Sequence, residues 1–221
     1  MSKVLSPRLA RAFDLAEAGL PLLPVHSPVP PDRWHLSGCS CARPDCPTPA
    51  AHPLRRLTVD QATTSTRRLL RWWGGSASTA NLATVAGAAV EVIELRHPSP
   101  HDEVAAWLRA NQVEPGPVLD LGGGCIQFFA SLTNVPVGWY HPLPPGWVTK
   151  LEHGSVVLLP PSRQAGGLSV EWLTGPIGIK LRDCWRLFQA LRRLPTRAAL
   201  AAYHHGDRDA TERSRSVDGS P

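Results

Sequence analysis

The sequence runs to 221 residues, 43% of them hydrophobic, with 23 Lys and Arg against 18 Asp and Glu for a formal net charge of +5. That length builds one substantial core and favours one domain over two. No run of about 18 apolar residues offers a membrane-spanning helix, and the N-terminal stretch MSKVLSPRLARAFDLAEAGL lacks the apolar segment of a signal peptide, so a cytoplasmic chain with no membrane partner is expected. The positive excess is uneven. From Lys180 onward nine Lys and Arg stand against five Asp and Glu, +4 of the total +5, a balance that suits either a solvated basic helix or a polyanionic partner such as nucleic acid.

Ser6 and Pro7 open the first helix as cap and first helical residue, with a stripe of Leu9, Ala12, Phe13, Leu15 and Ala16 before Gly19 ends it. GLPLLPVHSP reads as a short buried strand. From Pro28 to Pro53 the composition turns to Pro, Cys, His and Ser without periodicity, an irregular insertion that needs something other than a core to order it. TTSTRRLLRWWGG is a short helix capped near Thr64 or Ser65, and NLATVAG and VEVIEL are strands on either side of a turn at Gly87. SPHDEVAAWLRANQ is a helix with Ser99 as cap, Pro100 in the first turn, early acids and a late Arg109. GPVLDLGGGCIQFFASL is strand, glycine turn, strand; GSVVLLPPS is another buried strand. GIKLRDCWRLFQALRRL is an amphipathic helix with Leu181, Trp185, Phe188 and Leu191 on one face. Interleaved helices and apolar strands favour an α/β or α+β sandwich. Residues 204–221 hold little to bury and are expected to be a disordered tail, leaving 1–203 as the domain.

The five cysteines argue against a disulfide framework in a reducing compartment. Cys125 and Cys184 stand alone and read as small buried hydrophobes. The other three sit in CSCARPDCPTPAAHP, which places Cys39, Cys41, Cys46 and His52 in the spacing C-x-C-x4-C-x5-H. Three thiolates and an imidazole complete a tetrahedral zinc shell with no position left for substrate, so the expected role is structural, stapling an insertion of about residues 34–53. His35 is the alternative fourth ligand.

AEAGLPLLPVHSP, the cysteine and histidine insertion closing on AHP, QATTSTRRLLRWWGGSASTANLATVAG, VEVIEL, LGGGCIQFF and GSVVLLPPS occur in one order. This ordered set resembles the N-terminal domain of bifunctional DNA primase/polymerases, the Prim-Pol branch of the archaeo-eukaryotic primase superfamily, over roughly Leu9 to Leu194. The resemblance implies an RNA-recognition-like sheet carrying a zinc-binding insertion, and template-directed nucleotide polymerisation as the family activity. It also implies a D-x-D pair at a strand end holding two divalent metals, magnesium or manganese, a histidine after a glycine turn for nucleotide phosphates, and a further acidic residue. Residues i and i+2 of a strand share a face, so two such carboxylates can clamp the attacking and leaving oxygens.

On these motifs the sequence departs from the family. Glu94 and Arg96 occupy the D-x-D positions, and Arg96 is a permanent cation that pairs with Glu94 or repels a metal. Glu91 lies an odd number of residues from Glu94 and faces the other way. Aligning GGGCIQFF on Gly-Gly-x-His-x-x-Phe puts Ile126 at the histidine position and Phe129 at the final aromatic, while Gly122, Gly123 and Gly124 offer either a backbone nest or a plain turn. Counting back from VVLLPPS puts Thr149 at the third acidic position, with Glu152 nearby.

Arg55 and Arg56 beyond the cysteine loop, and Arg67, Arg68 and Arg71 before Trp72 and Trp73, mix cations with aromatics as single-stranded nucleic-acid sites do. On a helix adjacent tryptophans point about 100° apart, so core packing takes one of the pair. His97, His101 and His153 read as surface histidines and Ser162 as a turn residue. The sequence leaves three functions open. The first is a catalytically degenerate Prim-Pol homologue that binds nucleic acid or regulates replication proteins. The second is an active primase/polymerase drawing on Glu91, Asp120 or Glu152, and the third is a protein-interaction module.

Overall fold

Two sheets stack in a computed structural model that describes residues 6–30, 38–54, 56–75, 79–97, 99–132, 147–178 and 180–195. The smaller sheet has the order β1-β2-β7, formed by β1 (Leu23–Val25), β2 (Asn81–Val85) and β7 (Val156–Leu159), all antiparallel. The larger has the order β6-β3-β5-β4-β8, from β6 (Val148–Lys150), β3 (Glu91–Arg96), β5 (Cys125–Ser131), β4 (Val118–Asp120) and β8 (Glu171–Thr174). A short β9 (Arg182–Asp183) pairs with β5 in parallel. With four α-helices among the described residues, the fold is α+β.

The larger sheet is the middle layer, with a core on each side rather than the single core that length suggests. Val92, Leu119 and Phe129 face the smaller sheet and the helices α1 (Pro7–Glu17) and α2 (Thr66–Trp73). Ile93, Leu95, Ile126 and Phe128 face α3 (His101–Ala110) and α4 (Cys184–Leu191). Strands covered on both faces need no polar alternation, which is why VEVIEL and CIQFFA read as near-continuous apolar runs. The strands on either side of Gly87 belong to different sheets. Gly87 has φ 80°, and a Cβ there would run into the His153 ring, so the switch between sheets rests on a residue with neither constraint.

The helix ends follow the sequence closely at α1, where Ser6 Oγ accepts from Leu9 N at 3.2 Å and Leu9, Ala12 and Leu15 are buried. Burying each leucine contributes about 1.5–3 kcal/mol. They differ at α3 and α4. Pro100, not Ser99, stands at the α3 cap position, and no side chain caps that end. The last helix starts at Cys184, after Arg182–Asp183 has joined the sheet; Asp183 Oδ1 accepts from Arg186 N at 2.7 Å and caps it. Its buried face is Cys184, Leu187, Phe188 and Leu191, with Trp185 only partly covered. The sheet sets that helix's phase, which the 3.6-residue period alone does not.

Candidate metal centre and strand-end site

The irregular insertion is tied down at its base by β1. His26 N donates to the His52 carbonyl at 2.9 Å, Ser40 N to the Ser27 carbonyl at 3.0 Å, and Val29 N to the Gly38 carbonyl at 2.9 Å. The His26 ring packs against the His52 ring, centroids 4.4 Å apart and tilted by 33°, and its Nδ1 lies 2.8 Å from Ser40 Oγ. These contacts bring one donor atom each from Cys39, Cys41, Cys46 and His52 within 4.8 Å of one another. Cys39 Sγ and His52 Nε2 are 3.5 Å apart, about the edge of a tetrahedron built on metal–sulfur and metal–nitrogen bonds of ~2.3 and ~2.0 Å. Cys39 Sγ accepts from Ala50 N at 3.3 Å and Cys41 Sγ from Arg43 N at 3.5 Å, the latter a contact that favours the Cys41 thiolate.

Burial pushes the Cys46 thiol up to about 11, with the Thr48 N–H pulling the other way and the Cys41 and Cys39 sulfurs adding to the rise. Three sulfurs this close ionise together only around a cation, so the donor set fits one divalent metal. His35, the alternative ligand, lies outside the described residues. His26 was not legible as part of the centre, because it contributes through ring packing and hydrogen bonding rather than as a ligand, and its only signal is a histidine leaving a buried strand.

Asn81 bolts this loop to the fold. It is buried, and its Nδ2 donates to the Ala50 carbonyl at 3.2 Å and the Arg163 carbonyl at 2.7 Å, while Oδ1 accepts from Arg163 N at 3.2 Å. Asn81→Ala orphans all three backbone groups and is expected to cost about 3 kcal/mol in urea unfolding, at ~1–3 kcal/mol per buried unsatisfied group with partial relaxation. Metal loss to a chelator should be faster in the same variant. An unchanged unfolding midpoint would show that the loop is held by the metal alone.

The second cluster lies at the end of β3. Cross-strand pairs put Glu94 between Gln127 and Thr149, and Arg96 opposite Cys125, so all five share the face that carries Val92 and Phe129. Arg96 Nε donates to Glu94 Oε1 at 2.8 Å and Gln127 Nε2 to Glu94 Oε2 at 2.9 Å. The Cys125 thiol is pushed up to about 11, first by burial and then by the Glu94 charge, with Arg96 opposing, and it hydrogen-bonds Glu94. It is therefore a neutral donor rather than a nucleophile. Glu94 is 16% exposed and Arg96 70%, so the carboxylate is the enclosed partner and the guanidinium its lid.

Ile126 pairs with Leu95 and is buried in the core toward α3 and α4, on the opposite face from Glu94. The motif Gly-Gly-x-His-x-x-Phe also fits one residue earlier, from Gly122 to Phe128. That register puts Cys125, which faces Glu94, at the histidine position. The sequence allowed both registers, and strand alternation separates them once the pairing is known. Gln127 was missed for the same reason: only the β3–β5 register brings it to Glu94. The other acids point elsewhere. Glu91 pairs with Lys150 Nζ at 2.8 Å, both side chains 10% exposed, on the α3 and α4 side. Asp120 Oδ1 accepts from Gly122 N at 2.6 Å on that same side, and Glu152 is exposed beyond β6.

The glycine turn, with positive φ at Gly122, Gly123 and Gly124, lines a cavity of about 170 Å³ with His97, Ser99, His101 and Asp120. His97 is buried, not a surface histidine, edge-on to Trp147 at 4.4 Å, and its Nδ1 accepts from Ser99 N at 3.2 Å. Burial lowers both imidazoles, with nearby carboxylates opposing, so at neutral pH they carry no charge toward a phosphate.

Of the basic candidates, Arg68, Arg71 and Trp72 lie on α2, both arginines exposed and Trp72 partly covered. Trp73 takes the core position, 1% exposed, with its ring 5.8 Å from Trp72 and nearly perpendicular to it. Arg56 is exposed in the preceding loop, and Arg55 lies outside the described residues. Ser162 is no plain turn residue: it is buried, and its Oγ accepts from Leu82 N at 2.8 Å and donates to the Leu82 carbonyl at 2.9 Å.

No helix among the described residues is long and apolar enough to cross a membrane. The sequence profile of one family, bifunctional DNA primase/polymerase, N-terminal, matches residues 12–197. A comparison with curated proteins gives no match.

Proposed function

The chain belongs to the bifunctional DNA primase/polymerase (Prim-Pol) family, and from that premise we propose that it serves DNA metabolism as a nucleic-acid-binding or regulatory module whose polymerase site is degenerate. One observation carries this reading: both carboxylate oxygens of Glu94 already accept from protein donors, Arg96 and Gln127. A two-metal site needs at least two converging carboxylates with free lone pairs. Here the second position is a guanidinium, and Thr149 stands at the third, in register with Glu94. Magnesium or manganese would have to displace the Arg96 guanidinium and the Gln127 amide to reach a single carboxylate.

The rival reading, an active polymerase with carboxylates from other positions, is weakened by where those carboxylates lie. Glu91 and Asp120 sit across the sheet from Glu94 and are held by Lys150 and Gly122. Among the described residues, the one group of three or more His, Cys, Asp or Glu side chains close enough to share an ion is the Cys39, Cys41, Cys46 and His52 centre. On this reading that centre holds one structural zinc, which suits three soft sulfurs and an imidazole. None of the described cysteines forms a disulfide, which fits a reducing cytoplasm.

The test is primer extension on a DNA template with magnesium or manganese, run beside single-stranded DNA binding without metal. The expected result is no template-directed incorporation by the native chain, together with salt-sensitive binding. Incorporation that disappears in Glu94→Ala would overturn the degenerate reading.

A further inference from the structure

Across the larger sheet from Glu94, the C-terminal half of α3 and the outer face of α4 enclose a groove of about 350 Å³. Trp107, Asn111, Trp185, Arg186, Gln189 and Arg193 line it, and among the described residues none that lines it is acidic. We infer that this groove is a binding site for single-stranded nucleic acid, a reading that rests on the proposed role as a nucleic-acid module and places that role on the helical face.

Three observations carry it. The first is charge. Between 180 and 195 the described residues include Lys180, Arg182, Arg186, Arg192 and Arg193 against Asp183 alone, and the Asp183 carboxylate caps α4 through Arg186 N. Of these, Lys180, Arg186 and Arg193 are exposed, and Arg186 and Arg193 line the groove, a pair complementary to a phosphate chain. The second is the aromatic surface. Trp185 is only partly covered, and its ring stacks on Phe188 at 6.3 Å and 22°, with the Arg192 guanidinium 5.4 Å over the same Phe188 ring. The Phe188 ring is fully buried and backs the indole from beneath, so Trp185 is the plane offered to a base, and an indole set among cations is what sequence-independent base stacking uses. The third is preorganisation. Arg186 Nη2 donates to the Gln112 carbonyl at 3.2 Å and Asn111 Nδ2 to the Trp107 carbonyl at 2.8 Å, so the polar rim is braced before a ligand arrives. The cleft falls within the ~300–1,000 Å³ range of ligand sites, enough for bases to seat singly while exposed Arg186 and Arg193 meet the backbone.

The probe is a fluorescein-labelled 20-nucleotide oligothymidylate, followed by anisotropy with the full chain at increasing salt. Charge reversal at two exposed positions, Arg186→Glu with Arg193→Glu, is expected to weaken binding at least tenfold and to reduce the salt slope by about 1.4, two phosphate contacts at ~0.7 each. Trp185→Ala should weaken it about tenfold with the salt slope unchanged, since stacking releases no counterions. Unchanged affinity in the charge-reversed chain, with binding lost instead in Arg68→Gln with Arg71→Gln, would overturn this site and leave the module reading standing. Absence of binding by the native chain at low salt would overturn both. A dimer seen by sedimentation, abolished by the charge reversal while DNA binding persists, would assign the groove to a second copy and overturn the inference as well.

Discussion

Removing the metal from the Cys39, Cys41, Cys46 and His52 centre should lower the melting temperature by about 8–16 °C. The magnitude follows from linkage: free metal at a thousandfold over its dissociation constant stabilises the folded state by ~4 kcal/mol, and a chain of this size loses about 2–4 °C per kcal/mol. The loop offers little else to hold it. Apart from Cys39, Cys46 and Ala50, few of its described residues are buried, and its anchor to the fold is the short set of hydrogen bonds from His26, Ser40 and Asn81. Calorimetry with and without chelator reads the shift, and metal analysis of protein purified without chelator should find one zinc per chain. Cys46→Ser should reproduce the chelated melting temperature and respond no further to chelator. If the native chain melts at the same temperature in both conditions, the centre is not a structural metal site.

Trp73→Ala should cost about 4–5 kcal/mol, a large share of the ~5–15 kcal/mol that holds a typical domain. Truncating a buried tryptophan costs ~3–5 kcal/mol in lost transfer energy and cavity. Here it also orphans the Ala80 carbonyl, which accepts from Trp73 Nε1 at 3.2 Å just before β2. Trp73 further sits where α1 meets α2, since Ser6 Oγ donates to its carbonyl at 3.4 Å. Trp72→Ala should cost about 1 kcal/mol or less, because that ring is only partly covered. Urea unfolding of the two variants measures the contrast, and equal losses would mean that the two indoles share the core.

Much of the fold could be read from sequence where the cause is local. The α1 cap by Ser6, the α2 stop after Trp73, the strands NLATV and EVIELR, and the C-x-C-x4-C-x5-H centre depend on neighbours within a few residues. That one of Trp72 and Trp73 takes the core follows from the helical period, and the packing of α2 made it Trp73. β6, β8 and β9 were missed because they are short and draw their pairing from distant strands: Val148–Lys150 is a strand because β3 lies beside it, and Arg182–Asp183 because β5 does.

The strand-end site divides along the same line. The sequence by itself determined that a glutamate and an arginine stand two apart at the end of an apolar strand, and that two such side chains share a face. It could not determine what else reaches that face, because register between strands is a long-range property. The tertiary structure decided that Gln127 and Cys125, rather than Ile126, meet Glu94, that Glu91 turns away to Lys150, and that Arg186, Arg193 and Trp185 line one groove on the far side of the sheet. A shift of one residue in β5 would exchange every one of its faces, and only the two cores packed against the larger sheet hold that register.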